Sequence, residues 1–370
     1  MKLQEKIQFH KPITTSREFF KDNVGVKCVH YGDIYKNYSG KTIPSSCIIN
    51  NFANEVSSDK LLYCDSIIVP DVTETVSDWG HFTYIKYDGI PYINGTHAVA
   101  LTCESEDELK YIFRYLSSNH NRKRLQTLLN GSTVFQISIK DFGRFLLENY
   151  HESQDEQSHI VDILGTLDDK IENLEEVNSK IQSYCIAKYR LLFSDVERIP
   201  LSNIAAITMG QSPAGNTLND EDGVVFYQGR TDFGFRYPTV RLFTTDPKRM
   251  AKAGDILLSV RAPVGDVNIA SEDCCIGRGI AAISSKYTSF VYYSILNQKS
   301  DFDIYNNSGT IFGSINREAL SSFKIPAANI ALIEKFESVA SEMDKVIHNN
   351  TLKIYKLCTL KQVYLQKFFG

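Results

Sequence analysis

Apolar residues along residues 155–193 recur at the spacing of a helix that packs lengthwise against a partner helix. Steps of four and three separate the first of them, which are Ile160, Leu164, Leu167, Ile171 and Leu174. The rhythm then slips and continues through Val177, Ile181, Cys185 and Leu192. This seam predicts one helix roughly 60 Å long, at 1.5 Å per residue. A single stripe of this kind is also typical of an ordinary core helix.

The same pattern returns in residues 331–370. A shift of 175 positions, from Leu164 to Val339, overlays the two stretches and also aligns Phe193 with Phe368. Apolar positions again step by three and four through Phe336, Val339, Met343 and Val346. Two copies of one amphipathic helix predict an internal repeat, in which the second copy is the partner that the first requires.

Each long helix follows a segment of domain size. Residues 1–151 mix strand-like runs at 24–31, 66–69 and 98–102 with a helical pattern at 104–119. Residues 198–330 share this skeleton, and the matched segments are 31–34 with 227–230, 64–69 with 254–259, 95–101 with 277–283 and 132–135 with 309–312. The offset between matched segments falls steadily, as expected for one repeat with shorter loops in its second copy.

We therefore expect an α+β fold with a pseudo-two-fold internal repeat: two mixed α/β lobes separated by a long antiparallel two-helix coiled coil. The predicted domains are a first lobe (1–151), a central helix (152–197), a second lobe (198–330) and a C-terminal helix that pairs with the central one (331–370). Two similar lobes at a fixed separation suit two sites on one linear polymer. Half-sites one turn of DNA apart lie about 34–36 Å from each other.

Charge and composition narrow the function. The two lobes are near neutral, with 17 basic against 17 acidic residues and 13 against 12, and the helical segments hold the acidic excess. Near-neutral lobes argue against tight nucleic-acid binding by the chain alone, but not against binding beside a basic partner. The chain has no run of 18 apolar residues and no signal-peptide pattern, and its eight cysteines lack Cys-x-x-Cys spacing. These features predict reduced thiols in a cytoplasmic protein.

Several catalytic motifs are absent. The ten prolines include no Pro-Pro pair, so the Asn/Asp-Pro-Pro-Tyr/Phe loop of amino-methyltransferases does not occur. A phosphate-binding Gly-x-x-x-x-Gly-Lys-Ser/Thr loop is also missing. One nuclease-like arrangement, Asp71 with Glu108 and Lys110, is of a kind that arises often by chance, and the histidines show no ligand spacing. We expect no catalytic residue, metal site or cofactor.

Three stretches resemble a known family. Residues 210–237 (GQSPAGNTLNDEDGVVFYQGRTDFGFRY), 254–270 and 274–283 resemble a target-recognition domain of Type I restriction–modification specificity subunits. The helix at 165–182 (GTLDDKIENLEEVNSKIQ) is similar to the central spacer of that family. In the first lobe the resemblance is weaker and rests on residues 30–38 and 131–142. Because each such domain reads its own DNA sequence, divergence there is expected.

The resemblance implies a non-catalytic subunit. Each lobe would be a target-recognition domain that reads one half of a split site on double-stranded DNA. The helices would set the gap between the half-sites and dock two methyltransferase subunits, and restriction (helicase-nuclease) subunits would join for cleavage. The helix seam and partner interface would include Leu164, Leu167, Ile171, Leu174, Ile181, Phe336, Val339, Met343, Val346 and Phe368.

Candidate DNA contacts lie in turn-rich, polar stretches. In the second lobe these are Ser212, Gln228, Arg230, Thr231, Asp232, Arg261 and Arg278, and in the first lobe Lys36, Asn37, Thr73, Thr75, His81, Thr96 and His97. Gln can pair with adenine, Arg with guanine, and Asp can accept from cytosine. Alternatively, Arg230 and Asp232 stabilise a turn, Arg261 and Arg278 hold phosphates or pair with internal acids, and His97 is a buried structural histidine.

Two other functions stay open. The chain could be a structural adaptor that joins two protein partners without touching DNA, as the near-neutral lobes would allow. It could also be an enzyme whose site follows no recognised motif. Specific DNA binding beside a methyltransferase partner would separate the first hypothesis from these two.

Overall fold

A computed structural model describes residues 7–21, 24–148, 153–194, 196–306, 313–326 and 329–370. The chain divides into two compact units, each of which contains one lobe and part of both long helices. Unit 1 comprises Met1–Glu172 and Tyr355–Gly370, and unit 2 comprises Asn173–Ile354. The predicted boundary at 151 and the matched segment 309–312 lie outside the described residues.

The first lobe combines ten strands and four helices among its described residues. The strands are β1 (Ile7–His10), β2 (Val26–Val29), β3 (Thr42–Pro44), β4 (Asn51–Phe52), β5 (Ser66–Pro70), β6 (Val72–Thr73), β7 (Thr83–Lys86), β8 (Tyr92–Asn94), β9 (Ala98–Cys103) and β10 (Phe135–Gln136). The helices are α1 (Tyr31–Asp33), α2 (Glu106–Ser117), α3 (Asn119–Gln126) and α4 (Ile139–Glu148), and the first long helix, α5 (Gln154–Phe193), follows. The predicted strands at 66–69 and 98–102 and the helix at 104–119 are confirmed, whereas the strand predicted at 24–31 spans only Val26–Val29 and Tyr31 begins α1.

A five-stranded sheet in the order β1-β9-β5-β7-β3 forms the centre of the first lobe. Its strand β5 is buried along its whole length, which explains the apolar run Ile67-Ile68-Val69. Ile67 and Val69 face the apolar side of α2, whereas Ile68 faces a second cluster with Tyr92. A smaller sheet, β4-β2-β8, includes the parallel pair β2–β8.

The second lobe has the strands β11 (Arg198–Pro200), β12 (Ala206–Met209), β13 (Leu218–Asn219), β14 (Val224–Tyr227), β15 (Leu242–Thr244), β16 (Met250–Ala251), β17 (Ile256–Ser259), β18 (Val267–Ile269), β19 (Cys274–Ile276), β20 (Ile280–Ser284) and β21 (Lys324–Pro326). Its helices are α6 (Thr288–Asn297), α7 (Asp303–Asn306) and α8 (Arg317–Ser322), and α9 (Ile330–Phe369) is the second long helix. The sheet order β12-β20-β17-β18 and the parallel pair β14–β19 reproduce the first lobe.

Hydrogen bonds define the repeat more sharply than the sequence does. The Gly95 amide donates to Val29 at 2.9 Å, and the Gly277 amide donates to Tyr227 at 2.8 Å. Val29 is therefore the counterpart of Tyr227, whereas the sequence alignment placed Tyr31 there, two residues later. The match of Gly95 with Gly277 is correct. Sequence similarity alone therefore aligned β2 with β14 two residues out of register.

The long helices run antiparallel within each unit. In unit 1, Lys361 of α9 donates to Asp168 of α5 at 2.6 Å. In unit 2, the Asn350 side chain of α9 donates to Asn178 of α5 at 2.9 Å. Further along unit 2, the rings of Tyr189 on α5 and Phe336 on α9 lie 5.7 Å apart. The predicted mixed α/β lobes and the predicted antiparallel pairing of the long helices are confirmed within each unit.

The seam of α5 keeps its rhythm where the sequence predicted a slip. Buried residues continue at Asn178 and Cys185, and Val177 is 43% exposed. The predicted residues Leu164 and Leu167 are buried, whereas the following three, Ile171, Leu174 and Ile181, are partly buried. A polar asparagine therefore occupies a seam position, because a partner amide on the other helix satisfies it.

The seam of α9 differs by one residue from the prediction. It passes through Ala340 and Ile347, which are 1% and 0% exposed, and Val346 is 42% exposed. The prediction for Val346 was wrong, and Val339 is only partly buried. The small Ala340 occupies a seam position between Phe336 and Ile347. A choice by hydrophobicity alone favours its neighbour Val339 for that position. Met343 and Phe368 are partly buried and pack against the core clusters of their own units.

Each lobe is joined to a long helix of its own unit by a buried arginine. Arg114 of α2 forms an ion pair with Asp168 of α5, and the Arg236 Nη1 lies 3.1 Å from Asp344 Oδ1 on α9. The side chain of Arg236 is fully buried, and its Nη2 donates to the Tyr293 hydroxyl at 2.7 Å. The bounds of α5 (154–193) and α9 (330–369) are 176 positions apart (330 − 154), so the helix repeat is one residue longer than the predicted 175.

None of the helices in the described part of the chain is long and apolar enough to cross a membrane.

Candidate nucleic-acid interface

Four loops meet at one edge of the second lobe. They follow β12, β14, β17 and β19, and they contain all seven residues proposed for this lobe. The Gly210 amide donates to Ile280 at 2.9 Å, the Arg278 amide donates to the Ser212 hydroxyl at 3.2 Å, and the Val260 amide donates to Gly279 at 2.9 Å. Two of these hydrogen bonds join backbone to backbone and the third joins backbone to the Ser212 hydroxyl, so side chains from distant parts of the chain share one surface.

Glycines permit this close approach. A Cβ atom at Gly210 would lie 2.1 Å from the Gly277 carbonyl oxygen, and a Cβ atom at Gly279 would lie 2.8 Å from the Gln228 carbonyl oxygen. No larger residue fits at Gly210 unless the backbone moves. The glycines in the sequence motif therefore build the loop cluster.

Asp232 positions the loop after β14. It is 4% exposed, and its Oδ2 accepts from the Gln228 amide at 2.7 Å and from the Gly229 amide at 3.2 Å. Its Oδ1 accepts from Arg241 Nε at 2.9 Å. A carboxylate with these internal bonds has little capacity left for a base, so the turn-stabilising alternative describes Asp232 better than a base contact. The Gln228 side chain is exposed beside it.

Arg230 presents a partly paired guanidinium. Its Nε donates to Asp266 at 2.5 Å, Lys299 binds the other carboxylate oxygen at 2.5 Å, and the Arg230 side chain remains 55% exposed. Burial alone would raise the pKa of Asp266, but hydrogen bonds from Arg230 and Lys299 outweigh burial and hold this pKa below its usual value. The ionised Asp266 orients Arg230 while the terminal nitrogens of the guanidinium remain on the surface.

Arg261, Arg278 and Thr231 complete this edge. Arg261 and Arg278 are exposed, and no ion pair among the described residues involves either of them. Internal pairing with acids, one of the alternatives for these two arginines, is therefore not observed in the described part of the chain. Thr231 is exposed, and its hydroxyl accepts from Arg241 Nη2 at 3.2 Å.

The first lobe has a polar cleft of about 570 Å³ beside its corresponding loops. Four of the seven proposed residues line it, together with two tyrosines and two acidic residues: Tyr31, Tyr35, Lys36, Thr73, Glu74, Thr75, Asp78 and His81. Thr73 is buried, and its hydroxyl donates to the Thr75 carbonyl at 2.9 Å, so it shapes the wall of the cleft. Lys36 and Thr75 are exposed.

His81 is held inside the cleft. Its Nδ1 lies 2.6 Å from the Ser39 hydroxyl. Burial lowers the pKa of His81, the positive charge of Arg122 lowers it further, and Asp78 opposes both effects. This environment favours a neutral ring that can donate or accept one hydrogen bond.

The remaining first-lobe candidates lie outside the cleft lining. The Thr96 amide donates a hydrogen bond to the Thr15 hydroxyl at 3.1 Å, and the Thr96 hydroxyl donates to the Thr15 carbonyl. The first of these matches the hydrogen bond from the Arg278 amide to the Ser212 hydroxyl in the second lobe. The exposed Asn37 accepts from Lys41 through its carbonyl. The ring of His97 is 46% exposed and contacts the edge of Tyr31, so the alternative of a buried structural histidine is wrong.

Sequence reasoning missed several residues that organise these surfaces. Arg241 fixes Asp232, Asp266 orients Arg230, and Asp71 lies 3.0 Å from His97. Glycines and turn residues signalled where the loops are, but no local pattern marks an internal partner that lies up to 36 residues away. Tyr31, two residues after β2, was passed over as part of a strand.

Two lobes with matching loop clusters and parallel strand pairs, joined to paired long helices, define a duplicated recognition protein. The model of the family described as Type I restriction modification DNA specificity domain matches residues 15–183 and 194–331. The chain therefore belongs to the family of type I restriction–modification specificity subunits, and it has two DNA specificity domains.

Two relatives illustrate the relationship. The chain is 30% identical over 288 residues to the specificity subunit of the type I restriction enzyme MjaX from Methanocaldococcus jannaschii, across 70% of this chain and 67% of that protein. The fold is similar to the crystal structure of a type I restriction–modification S subunit from M. genitalium. That comparison has a TM-score of 0.59 and 17% identity, and covers all of this chain and 95% of the other.

Proposed function

We propose that this subunit is non-catalytic and directs a methyltransferase, and with it a restriction subunit, to a bipartite site on double-stranded DNA. The first domain (1–151) reads one half-site, and the second (198–330) reads the other. The main observation in support is the matched hydrogen-bond frame: Gly95 with Val29 and Thr96 with Thr15 correspond to Gly277 with Tyr227 and Arg278 with Ser212. A shared hydrogen-bond frame with different exposed side chains in each lobe suits two domains that recognise different sequences on the same DNA.

The second-domain contacts divide by chemistry. Gln228 and Arg230 are the proposed base-reading residues, because an exposed amide and a carboxylate-oriented guanidinium fit adenine and guanine edges in the major groove. Arg261 and Arg278 are exposed and form no ion pair with another described residue, so they are the proposed backbone contacts. Asp232 acts as a positioning residue through the Gln228 and Gly229 amides, and Asp266 positions Arg230.

The helix segments 152–197 and 331–370 are the proposed spacer and docking surface for two methyltransferase subunits. Exposed apolar side chains on the outer faces of α5 and α9 support this role, among them Val177, Tyr184, Leu191, Leu352, Tyr355 and Val363. Leu191 and Tyr355 are 82% and 73% exposed. Apolar residues in this number on the outside of a helix pair are typical of a surface that another protein covers. We further propose that the complex works in the cytoplasm, beside the DNA.

Reconstitution tests this function. The chain is combined with its methyltransferase, and binding is measured at moderate salt to duplexes that carry the methylated motif and to scrambled duplexes of equal length and composition. We expect the complex to prefer the motif by at least about 10³-fold. Equal binding to both duplexes would contradict the proposal. Assembly of the proteins without any DNA binding would favour the structural adaptor.

A further inference from the structure

His97 has an unusual backbone in the first lobe. Its φ angle is 59°, and among the described residues it is the one non-glycine side chain in the left-handed region. The residue lies between β8 and β9, and its 46% exposed ring packs against Tyr31, which lines the polar cleft. A non-glycine residue held in this conformation is found preferentially at functional positions.

Asp71 sets the orientation of this ring. The Asp71 Oδ1 lies 3.0 Å from His97 Nδ1, and an ionised carboxylate can only accept hydrogen bonds. Nδ1 therefore carries the proton of this hydrogen bond, and Nε2 is the ring nitrogen that is left to accept one. The other group packed on the ring is Tyr31, at 5.6 Å between ring centroids, with His30 behind it. The nearby cleft contributes the charged or titratable groups Lys36, Glu74, Asp78 and His81.

The second lobe shows that the fold does not require this pair. The Asp71 amide donates to the His97 carbonyl at 3.2 Å, and in the second lobe the Val260 amide donates to the Gly279 carbonyl at 2.9 Å. Valine and glycine thus occupy these two positions in the second lobe, and Gly279 does not have the positive φ angle of His97. The histidine, its left-handed backbone and its carboxylate partner are therefore particular to the first lobe.

We propose that His97 is a specificity-determining residue of the first recognition domain. Its Nε2 accepts a hydrogen bond from an exocyclic amino group, adenine N6 or cytosine N4, in the major groove of the first half-site. Asp71 is the positioning residue that fixes the ring. This inference rests on the proposed function, and it adds a chemical assignment to one domain and to one kind of base edge.

Variants separate the side chain from the backbone. His97→Gly removes the ring and the left-handed strain together, and His97→Asn retains a residue type that tolerates this backbone. We expect both variants to melt at or above the wild-type temperature and to lose about 5- to 100-fold discrimination at one base pair of the first half-site. His120→Asn, an exposed histidine on α3, is the matched control and should keep full discrimination.

Two substitutions at Asp71 test orientation. Asp71→Asn retains an oxygen that can accept a hydrogen bond from His97 Nδ1, so discrimination should largely survive. Asp71→Leu removes this acceptor and should lose discrimination as His97→Asn does.

The assay is binding of the methyltransferase complex to duplexes with each base pair of the first half-site changed in turn. One base-pair change should weaken binding of the wild-type complex but not of the His97 variants. The base at that position identifies adenine or cytosine as the partner of His97. A wild-type complex with no preference for any duplex would contradict the proposed function itself. A bipartite wild-type preference that His97→Asn leaves intact would overturn only this inference. Equal weakening of binding to every duplex in His97→Asn would mark a phosphate contact and would also overturn it.

Discussion

Replacing the asparagine pair of the helix seam should reveal strong coupling across the coiled coil. Asn178 and Asn350 are 3% and 7% exposed, and the Asn350 side chain donates to Asn178 at 2.9 Å. Each side chain satisfies the other in a stripe that is otherwise mainly apolar. A substitution of one partner by leucine leaves the other amide buried without its hydrogen bond. Substitution of both removes the polar groups together.

The expected free energies follow from that geometry. Asn178→Leu or Asn350→Leu alone should lower the free energy of unfolding by about 1–3 kcal/mol, the cost of an unsatisfied buried polar group. The double variant should be as stable as the wild type or more stable by up to about 4 kcal/mol, because two leucines extend the apolar seam. The double variant should also lose a fixed helix register, since a buried asparagine pair tolerates fewer alignments than leucine does.

Thermal or denaturant unfolding of the four proteins provides the double-mutant cycle. The paired exposed substitutions Val177→Ala and Val346→Ala are controls that should change stability little and additively. Losses that simply add in the Asn178→Leu, Asn350→Leu variant would refute the pairing. Methylation mapping of the same variant should show more than one gap length between the half-sites. A single unchanged gap would show that the asparagine pair affects stability but does not fix the helix register.

Further variants test the other structural assignments. Arg236→Met should destabilise the protein by about 3–5 kcal/mol in thermal unfolding, because Asp344 stays buried without its cation; wild-type stability would contradict the ion pair. Arg230→Ala should weaken DNA binding by about 1–3 kcal/mol, and only through the second half-site. Arg317→Ala on α8 is the control. An equal loss of affinity for all duplexes would indicate that Arg230 contacts a phosphate. Burial raises the pKa of Glu337 although two amides of α6 donate to it. The free energy of unfolding should therefore fall as the pH rises from the ordinary glutamate pKa of 4.5 towards the raised pKa of Glu337. Glu337→Gln should reduce this pH dependence in unfolding curves collected from pH 4 to pH 7.

The sequence predicted the helices well, because burial of a long stripe imposes its period on many residues at once. It could not choose between Val339 and Ala340, since both are apolar neighbours on one face and packing against the facing helix decides. It also placed Val177 in the seam, because the acceptability of Asn178 depends on a partner 172 residues away.

The candidate site shows the same limit. Glycines and turn residues indicated where loops gather, and those loops do converge in the second lobe. The roles of individual side chains depended on distant partners. Asp232 is occupied by Arg241, and His97 is oriented by Asp71. Local composition signals where a surface is built, whereas contacts between loops decide which side chains remain available to DNA.

Lengthening both helices tests the central claim most directly. Four residues are inserted after Glu176 in α5 and four after Leu352 in α9, so that the antiparallel seam stays matched. The insertion adds about 6 Å and slightly more than one turn to each helix. The methylated motif is then mapped by modification-sensitive sequencing in cells that contain the methyltransferase. At 3.4 Å per base pair, the gap should lengthen by about one or two base pairs while both half-sites stay the same. An active variant with the original gap would contradict the account.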